Sequence, residues 1–278
     1  MLVEVGEDVF CCVAESDDIL DGWGANQGFL ITESGVVVND TGFTRFSTNR
    51  LLDDIRSQTN QPIVLVINTH DHSDHVFGNH IFAQMKVPIL SHRRCNDNLK
   101  RFGEERMRTY RDQDSDLRAA LEGLKISPAS FTYSSAFTLE VGDKTLEIIH
   151  PEGGAHTYGD TMIYLPEDKI LFAGDVLWAG YHPNLEDANL KGWITWLERI
   201  SSMKVEKIVP GHGAPTGKES VSELSRYLLQ FEAWLDSNMH HGIPERSTVS
   251  GFHVDGTDNW KLKMLVQRNI ELLYKRSH

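Results

Sequence analysis

Four apolar runs of this chain each lead, within a few residues, to histidine or aspartate. "PIVLVIN" opens onto "THDHSDH", with His70, His72, Asp74 and His75. "TLEIIH" leads through the glycine-rich "PEGGAHTYGD" to His156. "KILFAG" ends at Asp175, and "EKIVP" leads to His212. A continuous apolar run of the "PIVLVIN" kind is expected in a strand covered on both faces. In α/β architectures, ligand sites gather beyond the carboxyl ends of strands. The fold therefore has to let four strand ends converge with five histidines and two aspartates. Taken alone, "HDHSDH" could be a solvated polar loop, but its periodicity gives it no core-facing role.

The residue types suit metal chemistry. Zinc takes neutral imidazole nitrogen and carboxylate oxygen, and a catalytic zinc keeps one position open for water. His70 and His72, two apart on an extended segment, point to the same side and can grip one ion. Asp74 and His75, at the turn into the next helix, are displaced enough to grip a second. A carboxylate at Asp175 could bridge the pair. Trp23, in the "DGWGAN" turn, is a candidate flap over a substrate, and Tyr158 and Trp178 are candidate pocket walls. His182 joins them because "WAGYHPN" directly follows Asp175. The remaining histidines (His80, His92, His150, His240, His241, His253 and His278) read as surface or structural. Asp71 and Asp160 flank ligand histidines; each could orient an imidazole, as acceptors behind metal ligands do, or simply be solvated.

Around these motifs the chain reads as strands in two blocks. "DVFCCVA", "NQGFLIT" and "GVVVND" come first, then a helix over 44–58 with Thr48, Leu51, Leu52 and Ile55 on one face. Phe77, Ile81 and Met85 continue the motif as a helical stripe. Residues 93–125 read as a charge-laced, solvent-facing helical insertion. "AFTLEVG", "KTLEIIH", "TMIYLP" and "KILFAG" form the second block. A helix near 190–200, the strand "EKIVP" and two helices at about 217–239 and 257–275 follow. Two strand blocks, each followed by helices, suggest two packed sheets with helices on their outer faces. We expect a catalytic domain over 1–216 and a C-terminal helical extension, 217–278, packed on the same domain.

Charge and composition narrow the partners. With 278 residues, 40% hydrophobic, the chain can bury a large core, and its net charge is −13. So acidic a surface repels phosphate backbones and anionic membranes, so neither a nucleic acid nor a membrane is expected as partner. No stretch approaches the roughly 20 apolar residues of a membrane helix. The N-terminus carries acidic residues where a secretion signal would be basic, and a cytoplasmic location is expected. Three cysteines make no disulfide framework. Adjacent Cys11 and Cys12 should point to opposite faces of a strand, one buried and one exposed. Trp234, Leu235 and Leu262 in the terminal helices could mediate a homodimer or cap the sandwich.

The ordered motifs "HDHSDH", "AHTYGDT", "LFAGD" and "VPGHG", with the opening "NQGFLITESGVVVNDTG", resemble the metallo-β-lactamase superfamily over about residues 8–216. The resemblance implies an α/β fold, the αβ/βα four-layer sandwich of two mixed β-sheets with outer helices. It implies that His70, His72 and His156 hold a first metal, that Asp74, His75 and His212 hold a second, and that Asp175 bridges. The activity implied is hydrolysis of an ester, lactone, thioester or amide, β-lactams included, by a hydroxide activated between two Zn²⁺ per chain, with Asp74 and Asp175 as catalytic residues. Lactamases with a cysteine ligand are unlike this chain, which has Asp175 at that position. Persulfide dioxygenases share these motifs but use one Fe²⁺, which makes an oxidoreductase the alternative. A phosphodiesterase or nuclease is disfavoured by the charge. The expected partner is a small-molecule substrate.

Overall fold

The computed structural model describes residues 1–14, 16–238 and 252–277; His240, His241 and His278 lie outside them. Two mixed sheets carry the architecture. The first runs in chain order through β1 (Leu2–Gly6), β2 (Val9–Cys12), β3 (Gln27–Thr32), β4 (Gly35–Asn39), β5 (Ile63–Ile67), β6 (Ile89–His92) and β7 (Phe131–Tyr133). Strands β1 to β4 are antiparallel neighbours, and β4 to β7 pair parallel. The second comprises β8 (Phe137–Val141), β9 (Lys144–Ile149), β10 (Met162–Leu165), β11 (Ile170–Trp178) and β12 (Lys207–His212). Its pairs are antiparallel except β11 with β12.

Parallel neighbours need a crossover, usually helical. The chain supplies α1 (Arg45–Gln58) between β4 and β5, then the short α2 (Ser73–Val76) and α3 (Asn79–Gln84) before β6. Between β6 and β7 lie α4 (Arg93–Gln113) and α5 (Ser115–Ala120), and α6 (Leu190–Ser202) joins β11 to β12. Helices α7 (Lys218–Asn238) and α8 (Met264–Ser277) follow. Thr44 caps α1 by accepting from the Ser47 N–H, and the Ser47 hydroxyl accepts from the Thr44 N–H in return. That reciprocal pair satisfies two of the free helix-start donors.

The layers follow from where apolar side chains meet. Between the sheets, Leu30, Val37 and Ile67 face Ile148, Ile163 and Phe172. Outside the first sheet, Phe29, Val38 and Val66 pack against Leu51, Leu52 and Ile55 of α1. Outside the second, Leu171 and Ala173 lie under Trp193 and Leu197 of α6, Tyr227 and Phe231 of α7, and Ile270 of α8. The order helix, sheet, sheet, helix is the sandwich expected.

Three local expectations are corrected. Cys11 and Cys12 do point to opposite faces, but both are buried, because helices cover the outer face of β2 as well. The 93–125 segment is not solvent-facing throughout: Leu99, Met107, Leu117, Leu121 and Leu124 form a buried cluster with Phe43 and Phe77. The stripe Phe77, Ile81, Met85 is broken between α2 and α3, and Met85 is 46% exposed at the end of α3. The break falls at Gly78, where an added Cβ would strike the Thr41 carbonyl and Thr48 hydroxyl.

His92 and His150 are structural. Their rings stack with centroids 3.7 Å apart, and both are buried. Burial, then the neighbouring His150 imidazole, pushes His92 down to about 4. A histidine whose folded pKa lies below its unfolded value of ~6.5 takes its proton first in the unfolded chain. Its contribution to stability is therefore whole above that value and is lost as pH falls toward 4. We expect the stability gap between the wild type and His92→Gln to shrink from pH 6.5 to 4 in urea unfolding. A gap independent of pH would contradict this.

Candidate metal centre and its pocket

The carboxyl ends of β5 and β12, the interior of β11 and the turn after β9 deliver the seven residues to one place. The carboxylate of Asp175 lies at the middle. Its Oδ2 is 3.3 Å from His156 Nε2, 3.5 Å from His212 Nε2 and 3.7 Å from His70 Nε2, while its Oδ1 is 3.1 Å from His75 Nε2. Asp74 Oδ2 stands 3.4 Å from His212 Nε2 and 3.6 Å from His75 Nε2. His72 Nδ1 is 3.0 Å from His156 Nε2. Two groups result, His70, His72, His156 and Asp175, and Asp74, His75 and His212, each with its ligand atoms within 4.8 Å of one another.

These separations fit cations. Ligand atoms about 2.0 Å from a tetrahedral ion sit roughly 3.3 Å from each other, and the distances above lie on either side of that value. The Nε2 atoms of His70, His75 and His212 and Oδ1 of Asp175 are buried without an aligned hydrogen bond among the described residues. Buried polar atoms are ordinarily paired; four left open around one point form a donor set that could hold a cation.

Four of the five outward nitrogens, by contrast, are held; His156 Nδ1 is buried without an aligned hydrogen bond among the described residues. His75 Nδ1 donates to Asp40 Oδ2 at 2.9 Å, His212 Nδ1 to the Trp23 carbonyl at 3.1 Å, and His72 Nε2 to Asp187 Oδ2 at 3.1 Å. His70 Nδ1 meets the Thr69 hydroxyl at 3.0 Å. Such partners fix ring orientation and tautomer. Asp40 also accepts from the Thr69 N–H and hydroxyl, at 2.8 and 2.7 Å, and its backbone takes φ +58° to do so. Close backbone approach matters at Gly211, where a Cβ would collide with Asp175 Oδ1.

Protons stand in for cations when none is bound. Burial alone would lower His212, but Asp175 and Asp74 outweigh it and raise it to about 9. His75 is raised against its burial by Asp175, Asp74 and Asp40. Burial dominates at His70, which goes down, and at His156, which falls to about 3. Asp175 is held low despite burial by the imidazoles of His75 and His212. Cation binding would expel the protons on His75 and His212.

A cavity of about 270 Å³ opens above Asp74 and Asp175. Trp23 and Trp178 line it; the Trp178 ring stacks 3.8 Å above His212, and Trp23 packs on Phe43 and Tyr110. Tyr158 and His182, read from sequence as pocket residues, lie elsewhere. Tyr158 is 46% exposed on the turn after His156, beneath Arg94. His182 is buried against Trp260, with its Nδ1 3.2 Å from the Tyr227 hydroxyl.

Neither flanking aspartate is solvated. Asp71 is buried and tied to Arg106 at 2.8 Å and Asn98 at 3.2 Å, which anchors α4 beside the motif. Asp160 accepts from the Thr157 N–H and hydroxyl, holding the turn after His156, and burial pushes its carboxyl up to about 7. Sequence reading missed Asp187, Arg106, Tyr110 and Arg268 as pocket residues. Asp40, within the opening segment "NQGFLITESGVVVNDTG", carries no sequence signal for its role behind His75. Asp187 is 115 positions from its partner His72, and no local pattern marks it.

A metal-capable cluster at the strand ends of an αβ/βα sandwich defines a class of protein, and comparison places the chain in it. Residues 20–212 match the sequence model of the Metallo-beta-lactamase superfamily, and the chain belongs to that superfamily. It is an enzyme of that hydrolytic group. A "Beta-lactamase-like protein 2 homolog" of Caenorhabditis elegans is 25% identical over 263 residues, covering 91% of this chain and 78% of the relative. The "Metallo-beta-lactamase type 2" of Elizabethkingia meningoseptica is 22% identical, covering 68% of this chain and 69% of its own. Among solved structures, a metallo-beta-lactamase from Pontibacter korlensis superposes with TM-score 0.65 at 23% identity, over 82% of this chain and 98% of that one. Among the described residues, no helix is long and apolar enough to cross a membrane.

Proposed function

We propose that the chain is a two-metal hydrolase of carbonyl compounds: an ester, lactone, thioester or amide. The observation that carries this is the Asp175 carboxylate, whose Oδ2 stands near His70 and His156 of the first group and His212 of the second, and whose Oδ1 stands near His75 of the second. Donors of five imidazoles and two carboxylates favour zinc over oxygen-loving calcium or magnesium. Two such ions would supply a nucleophile from water at neutral pH and polarise the carbonyl.

The chain's own residues do the rest. Asp74 lines the cavity and would accept a hydrogen bond from the attacking water, fixing its direction. Asp187 keeps His72 turned so that Nδ1 faces His156. Trp23, Trp178 and Tyr110 present aromatic surface around the reacting group and limit its solvation. The C-terminal helices complete the same unit by burying Ile270, Tyr227 and Phe231 against the second sheet.

An iron dioxygenase needs only the first group of four ligands. Because such dioxygenases share these motifs, the second group of Asp74, His75 and His212 does not separate the two readings; metal content does. Metal analysis of anaerobically purified protein, paired with lactone, thioester, β-lactam and phosphodiester substrates, tests the reading. About two zinc ions per chain with turnover of a carbonyl substrate is the expected result. A single iron with sulfite formed from a persulfide would overturn it.

A further inference from the structure

We propose that α8 selects the substrate: an acyl compound whose far end carries an oxyanion, seated on Arg268, with its apolar chain against Leu262, Met264 and Leu265. This rests on the carbonyl-hydrolase reading and adds the recognition of the part that does not react.

All four residues line the cavity above Asp74 and Asp175. They lie beyond residue 212, where the superfamily match ends, so this wall is built by the chain's own C-terminal segment. Met264 is 60% exposed although apolar, and it faces the cavity. A flexible thioether of this kind adapts to apolar ligands of varied shape. Leu262 and Leu265 are nearly buried and give the wall a fixed base.

The cavity has two arginines, and they are not equivalent. Arg106 is committed: its Nη1 donates to the buried Asp71 carboxylate at 2.8 Å and to the Asp71 carbonyl at 2.9 Å. Arg268 meets Glu186 at 2.6 Å, and both side chains are solvent-exposed, 57% and 38%. An exposed ion pair contributes little and opens readily. A guanidinium also carries five donors in a planar fork suited to carboxylate. An arriving oxyanion can therefore replace or share Glu186 without stranding a buried charge.

The wall is fixed relative to the metal centre. Asn269, fully buried beside Arg268, accepts from the Leu185 N–H at 2.9 Å and donates to the Pro183 carbonyl at 2.8 Å. These bonds clamp α8 to the loop that carries Asp187, the partner of His72. The distance between the recognised end and the reacting centre is thus set by the fold, and substrate length should matter.

The test uses the metal-loaded full chain and aryl esters of straight-chain acids of graded length, each ending in a methyl or a carboxylate. In Arg268→Gln, KM for carboxylate-ended esters should rise about tenfold, with kcat and the methyl-ended series little changed. Arg268→Lys should recover part of the loss. Calorimetry with unreactive ether analogues should give the same tenfold change in Kd without any turnover. Thermal melting checks that the variants fold. If the ethers bind with this dependence but no ester turns over, recognition stands and the hydrolytic reading fails. If esters turn over and both series respond alike to Arg268→Gln, the selectivity proposal fails while hydrolysis stands. Absence of binding by every analogue also overturns the proposal.

Discussion

Replacing Asp175 by alanine is expected to reduce turnover by about 10³-fold or more and to lower metal content at both positions together. Metal ions stabilise transition-state charge by several kcal/mol, and each ~1.4 kcal/mol is a tenfold in rate. No other carboxylate among the described residues stands within ion-pair distance of four of the imidazoles. Asp175→Asn separates charge from shape, because it keeps the side-chain volume over Gly211 but loses the negative charge. If the carboxylate bridges, the asparagine variant should also lose metal, measured as ions per chain after dialysis against a fixed free concentration. Full occupancy and near-normal turnover in either variant would remove the bridge. Loss of one ion only would assign Asp175 to one group.

What the sequence makes legible here is chemistry carried by neighbours in the chain or by long apolar runs. His70, His72, Asp74 and His75 fall within six successive positions, and the strand before them is apolar enough to read as covered on both faces. Short elements escape that reading. β6 and β7 are four and three residues long, and β7 is mostly exposed, so neither offers a period to detect. Asp175 reads as the end of a strand because Gly174 precedes it. In the fold β11 continues to Trp178, with irregular register against β12 that turns the Asp175 side chain into the site. Gly174 makes this passage with φ +52°, and an added Cβ there would strike the Thr69 side chain.

Residues that act through tertiary contact alone are illegible for a different reason. Arg106 looks like one cation among many on a charged helix, yet its partner Asp71 is buried 35 positions away. Alternation makes one of Cys11 and Cys12 look exposed, and only the helices over the outer face, where Cys12 packs, decide otherwise. Proximity in sequence marks Tyr158 and His182 as site residues, but it is a poor guide once the chain turns sharply, as it does at Gly180 between Trp178 and His182 with φ +73°.

Trp193→Ala should produce the largest loss of stability of any single change on α6. The side chain is fully buried in the cluster outside the second sheet, and truncating a buried tryptophan costs about 3–5 kcal/mol. At roughly 2–4 °C per kcal/mol for chains of this order, the melting temperature should fall by about 10 °C. The comparison has to be made with chelator present, since bound metal adds its own stabilisation to the native state. Trp193 also has a positional duty. Its Nε1 donates to the Val176 carbonyl at 2.8 Å, one residue past Asp175, and its ring meets His156 edge-on at 5.3 Å. Trp193→Phe retains most of the packing but leaves that carbonyl unpaired, at a cost of about 1–3 kcal/mol. If this hydrogen bond holds the irregular part of β11 in place, the phenylalanine variant should melt only a few degrees lower yet bind metal about tenfold more weakly. Should its metal affinity match the wild type, Asp175 is positioned by β12 and Gly211, and Trp193 serves the core alone.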